Sequence, residues 1–253
     1  MGAFSVRFWL ILCVLSVATL RAETVDVLLV ATEPELQPVL AKLSAVRTET
    51  HAAWKFWLGT LAGRKVVLTR TEGDPLNAVA ATTLGIRHYS PRLVLTVGAA
   101  RAHDPALRAG DVVVSEKFAA FDGLESPVVP LDGGSAPLTW SKLPHAMATV
   151  GEKETPALFF PADAAALATA GNLAAPRGRL RVGVLGSASQ VNREADRIAW
   201  LHAEWGTSCE DGESAHIAGC AQLLGVSVLG IRVIDGTEGE AAGVALKFLE
   251  EWK

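Results

Sequence analysis

With 253 residues, 50% of them hydrophobic and 20% charged, the chain can bury one substantial core, and a single domain follows. The net charge of −4, with no basic run, excludes a nucleic-acid binder working through a positive stripe.

Residues 1–22 stand apart. A short start carrying Arg7 leads into the apolar run from Phe8 to Ala18, too short to span a bilayer comfortably. Small residues follow at Ser16, Ala18 and Ala22, and the polar Glu23–Asp26 opens the rest of the chain. This is the pattern of a secretory signal peptide, so the expected organisation is a leader over 1–22 and one domain over 23–253, secreted or periplasmic and free of the membrane after cleavage. Cleavage removes Arg7 and Arg21 and no acid, and leaves Cys209 and Cys220, which can pair in an oxidising compartment or remain buried thiols. Cys209, His216 and Cys220 match no zinc spacing, and no metal is expected.

Val25–Ala31 is a near-continuous apolar run, as in a strand buried on both faces. Residues 33–43 follow with helical spacing of Leu36, Val39, Leu40 and Leu43. Trp54–Leu61 and Lys65–Thr71, split by Ala62-Gly-Arg64, predict a β-hairpin. A helix is predicted over Asn77–Tyr89, then strands over Arg92–Gly98 and Asp111–Glu116. Residues 121–156, rich in Pro, Gly and Ser, read as a long surface excursion. Beyond it the pattern gives helix Pro161–Ala170, strand Leu180–Gly186, helix Arg193–Glu204, helix Ser214–Leu224, strand Val226–Ile234 and helix Ala241–Trp252. Strands alternating with helices predict an α/β fold, one mixed central β-sheet flanked by helices.

The most informative stretch is Glu210-Asp-Gly-Glu-Ser-Ala215, followed by the strand that ends Arg232-Val-Ile-Asp235. It predicts an acidic loop, a helix beginning on a carboxylate, and a buried strand closing on Arg and Asp. Two carboxylates so placed can face one polar ligand across a cleft, an arrangement suited to holding a sugar and protonating a leaving group.

Asn77-Ala-Val-Ala-Ala-Thr-Thr-Leu84, Pro91-Arg-Leu-Val-Leu-Thr-Val-Gly98 and Leu107-Arg-Ala-Gly-Asp-Val-Val-Val-Ser115 occur in the order seen in the nucleoside phosphorylase superfamily. The chain resembles most its methylthioadenosine/S-adenosylhomocysteine nucleosidase branch, over nearly all of residues 25–252. Asp211-Gly-Glu-Ser-Ala215 matches that branch's Asp-Met-Glu-Gly/Ser-Ala motif. The Phe118-to-Gly134 loop also looks like futalosine hydrolases. The resemblance implies hydrolysis of the N-ribosyl bond of a purine-type nucleoside, with no cofactor, by a homodimer. It assigns Glu35 as base for the water, Glu213 as ligand of the ribose hydroxyls and Asp235 as acid toward the base, with Gly98, Ala99, Ser189, Gly212 and Arg232 as further contacts. The chain departs from the motifs at several of these. Asp235 arrives one position early, with Gly236 at the place of the acid; Ser189 stands for a base-stacking Phe and Gly212 for a Met; Gly98-Ala-Ala-Arg-Ala102 replaces a Gly-Ser-Ala-Gly-Gly loop.

Two other readings stay open: a phosphate-dependent phosphorylase with Arg101 as the anion site, and a non-catalytic nucleoside-binding module of the same fold. A serine hydrolase is excluded because no Gly-x-Ser-x-Gly elbow exists. Gly183-Val-Leu-Gly186 is not the pattern that cradles a dinucleotide phosphate.

Overall fold

The computed structural model describes residues 24–148, 155–237 and 239–253. The proposed leader over 1–22 and residues 149–154 of the expected excursion lie outside them.

In chain order the elements are β1 (Val27–Ala31), α1 (Glu33–Leu40), β2 (Ser44–His51), β3 (Trp54–Leu61), β4 (Arg64–Arg70), α2 (Pro75–Tyr89), β5 (Leu93–Ala102) and β6 (Val112–Ala120). After these come the short strands β7 (Leu124–Glu125), β8 (Ser141–Lys142), β9 (His145–Met147), β10 (Thr155–Ala157) and β11 (Phe160–Pro161). The chain finishes with α3 (Ala164–Ala170), β12 (Leu180–Ser187), α4 (Ala195–Trp205), β13 (Thr207–Asp211), α5 (Ser214–Leu223), β14 (Ser227–Ile234) and α6 (Glu240–Glu251). The mixed sheet flanked by helices is the predicted class.

β1 lies parallel between β4 and β5, which is why all five of its residues are buried and apolar. The predicted hairpin forms as β3 and β4, antiparallel and closed at Leu61 and Arg64, and β2 adds an outer strand that the sequence reading did not assign. At the other end the sheet closes on itself. β5 pairs with β14, β14 with β6, β6 with β12, β12 with β13, and β13 returns antiparallel to β5 through Cys209 and Glu210. Five strands therefore form a ring. β13 is its closing member, where an acidic loop was expected.

Local chemistry sets the helix starts. α2 begins with Pro75 at its first position, and the Asp74 carboxylate accepts from the amides of Leu76 and Asn77. α3 begins at Ala164 rather than at Pro161, which belongs to a strand, because the Asp163 carboxylate takes the Ala166 amide. In α6, Ala241, Val244, Ala245 and Phe248 repeat at helical spacing and are fully buried. Together with Leu36 and Val39 of α1 and Ala166 and Ala170 of α3 they cover one face of the sheet. The other face packs Ala78 and Ile86 of α2 against Ala215, Ile217 and Ala218 of α5. Leu201 and Trp205 of α4 build a smaller cluster with Phe121 and Val184.

Residues 121–156 carry more structure than expected. β7 pairs with β8, β9 pairs with β10, and Met147 is buried. Cys209 and Cys220 are both free and buried, and burial pushes both thiols up.

Candidate active site

A cleft of about 380 Å³ opens where β5, β13 and β14 end. Glu213, Arg232, Asp235, Gly98, Ala99 and Gly212 all line it, so the fold brings together six of the eight residues singled out in the sequence.

Asp211, the last residue of β13, organises this site. Its Oδ1 accepts from the amides of Glu213 and Ser214 at 2.9 Å each and from the Ser187 hydroxyl at 2.6 Å. Ser187 Oγ in turn accepts from the Ala215 amide. The amides that open α5 are thus satisfied by Asp211 and Ser187, and Glu213, although it sits at the cap position, makes no capping bond with its side chain. Asp211 Oδ2 accepts from Arg232 Nε at 2.5 Å. The same guanidinium donates to Thr96 Oγ1 at 2.8 Å and to its neighbour's carbonyl, that of Ile231, at 3.0 Å. Burial opposes ionisation of Asp211, but Arg232, the Ser187 hydroxyl and the two amides hold its carboxyl below the usual carboxylate range.

Glu213 is the reverse case. It is 4% exposed, and its Oε1 accepts from the Thr71 hydroxyl at 2.9 Å. Its Oε2 is buried and has no hydrogen-bond partner in the protein. Burial pushes its pKa up to about 7, against the pull of Arg232 and Thr71. A buried acceptor without a donor is costly, and on a cleft wall it stands open to a donor from a ligand.

Two departures from the family motifs have a steric cause. A Cβ on Gly212 would stand 2.5 Å from the carbonyl oxygen of Gly73, so the Glu72–Gly73 turn, left-handed at both residues, leaves no room for a Met. A Cβ on Gly236 would meet that of Val233 at 2.9 Å. No side chain fits there on this backbone, and of these two positions it is Asp235 that brings a carboxylate to the cleft. Asp235 is exposed, adopts φ 43°, and donates its amide to Ala100 O at 2.9 Å.

Glu35 and Ser189 lie elsewhere. Glu35 is 4% exposed, and its Oε2 accepts from the Ala242 amide at 2.8 Å in the first turn of α6. Burial raises its pKa, only partly offset by that amide and by the charge of Arg232. It does not line the cleft. Ser189 faces a neighbouring chamber instead.

Sequence reasoning missed Thr71, Asp211 and Glu210 as site residues. Glu210, 5% exposed, lines the cleft and grips Asn192 twice, Oε1 accepting from its amide at 3.0 Å and Oε2 from its side-chain Nδ2 at 2.7 Å. This fixes the segment 189–192, whose Gln190 and Val191 form one cleft wall. His103 backs it, with Nε2 3.1 Å from Glu210 Oε2 but off the line of a hydrogen bond. Burial works against the Glu210 charge, yet His103 and Asn192 hold its pKa low. The signal for Asp211 was the position before Gly212 at a strand end; Thr71 left none, because it lies 142 residues from its partner. Among the described residues no cluster of three His, Cys, Asp or Glu could hold a metal.

The family model described as the phosphorylase superfamily matches residues 26–252. A 5′-methylthioadenosine/S-adenosylhomocysteine nucleosidase of Tolumonas auensis is 38% identical over 92 residues, which span 36% of this chain and 40% of the relative, well under two thirds of its length. Among solved structures, the nucleosidase of the same name from S. pneumoniae superposes with a TM-score of 0.72 at 19% identity, over 90% of this chain and 100% of that one. The native futalosine hydrolase of Helicobacter pylori gives 0.69 at 19%, over 90% and 96%. These structures share the fold, and the family match over nearly the whole described chain shows that this protein belongs to the phosphorylase superfamily.

Proposed function

We propose that the protein hydrolyses the N-ribosyl bond of a purine-type nucleoside. The observation that carries this reading is the unpartnered Oε2 of Glu213 in a cleft shared with Arg232 and Asp235. A carboxylate oxygen with no donor suits a ribose hydroxyl, and its charge, present above about pH 7 and close to the sugar, favours the oxocarbenium-like cation that forms as the bond to the base breaks. Asp235, at the open side of the cleft, delivers the proton to the departing base. The base for the attacking water, assigned to Glu35 by resemblance, requires Glu35 to leave the amide of Ala242. The relatives' substrates, methylthioadenosine and S-adenosylhomocysteine, are the first compounds to offer. We further propose export, supported by the leader pattern of residues 1–22, and a homodimer, supported by the family resemblance.

A second reading has one observation behind it. Arg101 is exposed on the same cleft and has no ion-pair partner among the described residues, so it can meet a phosphate. The test is base release from adenine and 6-oxopurine nucleosides, with and without inorganic phosphate. Release without phosphate, lost in Glu213→Gln, supports the hydrolase. Release only with phosphate, lost in Arg101→Gln, replaces it with a phosphorylase. Ligand binding without any release makes the protein a binding module.

A further inference from the structure

His103 is a buried polar group that the proposed reaction does not use. Its side chain is fully buried. The amides of His103 and Asp104 both donate to Ser208 O, at 2.8 and 3.0 Å, and the Phe121 ring lies 5.9 Å from the imidazole, so the ring is held in place. Nδ1 stands 2.7 Å from the Thr207 hydroxyl. With that hydroxyl donating to Nδ1, the ring proton is on Nε2 and faces Glu210 Oε2 at 3.1 Å. Burying an imidazole is unfavourable where an apolar side chain of similar size would not be, so the ring sacrifices stability at the point where Nε2 meets the Glu210 carboxylate.

Glu210 carries that contact to the cleft. Both of its oxygens accept from Asn192, the last residue of the segment 189–192. At the other end the Ser189 amide is taken by Asp122. Between these anchors Gln190 and Val191 make no hydrogen bond among the described residues, and Val191 is 62% exposed. The cleft lies in front of the segment. Behind it is a chamber of about 460 Å³ with Ser189, Gln190 and Asn192 in its walls. A wall with open space on both sides takes its position from its end anchors alone.

We infer that His103 is a positioning residue for the cleft: it holds the Glu210 carboxylate in the orientation that grips both the amide and the side chain of Asn192, and so keeps the segment 189–192 standing as the cleft wall instead of falling back into the chamber. The kinetic side of the inference rests on the nucleosidase reading; the effect on the wall rests on geometry alone. His103 does not itself line the cleft and acts only through Glu210. Removing its N–H frees the carboxylate to turn, one of the two bonds to Asn192 is lost, and the segment opens toward the space behind it.

The test compares the wild type with His103→Leu, His103→Gln, Glu210→Gln and the double variant His103→Leu/Glu210→Gln, by amide exchange and by base release from adenosine and inosine. In His103→Leu the Asn192 amide should exchange about tenfold faster or more, while the Ala215 amide, bonded to Ser187 Oγ, keeps its rate. KM should rise about fivefold with kcat less affected. A glutamine at 103 still offers an N–H to Glu210, so His103→Gln should recover most of both effects. Because His103 acts through Glu210, the double variant should be little worse than Glu210→Gln. Unchanged Asn192 exchange in His103→Leu overturns the inference, and so does a double variant that shows the full product of the two single effects. Should His103→Leu fail to fold, Thr207→Val, which removes only the hydroxyl at Nδ1, takes its place: faster Asn192 exchange supports the inference and an unchanged rate overturns it. If no form cleaves either nucleoside, the hydrolase reading falls and Asn192 exchange decides the inference by itself.

Discussion

Glu213 and Asp211 stand two positions apart and are driven in opposite directions. Asp211 is saturated with donors and stays charged; Glu213 has one hydroxyl, and burial lifts its pKa to about 7. The pH dependence follows. The folded protein keeps a proton on Glu213 up to about pH 7, whereas the unfolded chain releases it near 4.5. Between those values the unfolded state binds fewer protons, so stability falls as pH rises, and above about 7 the penalty is complete. Replacing Glu213 by Gln removes the penalty along with the ribose acceptor. We expect the variant to match wild-type stability below pH 4.5, to exceed it by roughly 1–3 kcal/mol at pH 8 in urea unfolding, and to lose at least ~100-fold in turnover. Equal stabilities at pH 8 would mean that Glu213 is solvated in the free protein. Asp211→Asn should be much harsher. It strands the Arg232 guanidinium in a site where that residue is 2% exposed, a change that costs about 3–5 kcal/mol, visible as a fall in Tm.

At the scale of elements, Glu210 holds the segment 189–192 by two bonds to Asn192 while standing outside the proposed reaction. Glu210→Gln keeps the shape but replaces one acceptor with a donor facing the Asn192 amide group. KM for the nucleoside should therefore rise about fivefold or more with kcat less affected; a fall in kcat alone would count against a positioning role. Elements with a local cause are the legible ones. β1, β5, β6 and β14 announce themselves as apolar runs because both faces are covered, and the turn Ala62-Gly63 marks the β3–β4 hairpin. β2 has no buried residue, so its sequence carries no pattern to read. β13 exists because β12 and β5 flank it, and residues 207–211 alone look like a polar loop. The charged residues of the site are legible by motif as far as Glu213, Arg232 and Asp235. Their dependence on Thr71 and Thr96 is not, since these contacts span 142 and 136 residues. Glu35 is legible by position in the same way, whereas its contact with the start of α6, 207 residues away, is not.

For the whole molecule, ring closure decides which positions accept change. Gly230 lies in β14, with its amide bonded to Ser115 Oγ, and a Cβ there would come within 2.6 Å of Leu185 and 2.7 Å of Phe118. Gly230→Ala should cost about 1–3 kcal/mol in denaturant unfolding although it adds one methyl group at a position that does not line the cleft. Asp211 is where the ring, α5 and Arg232 meet. A chain that has formed its helices and the β1–β4 half of the sheet still has no cleft, because the wall bearing Glu213 is pinned only once β13 is in register. Recovery of ligand binding during refolding is thus a clock for the last event of assembly: it should lag far-ultraviolet ellipticity and coincide with amide-exchange protection of Cys209 and Glu210.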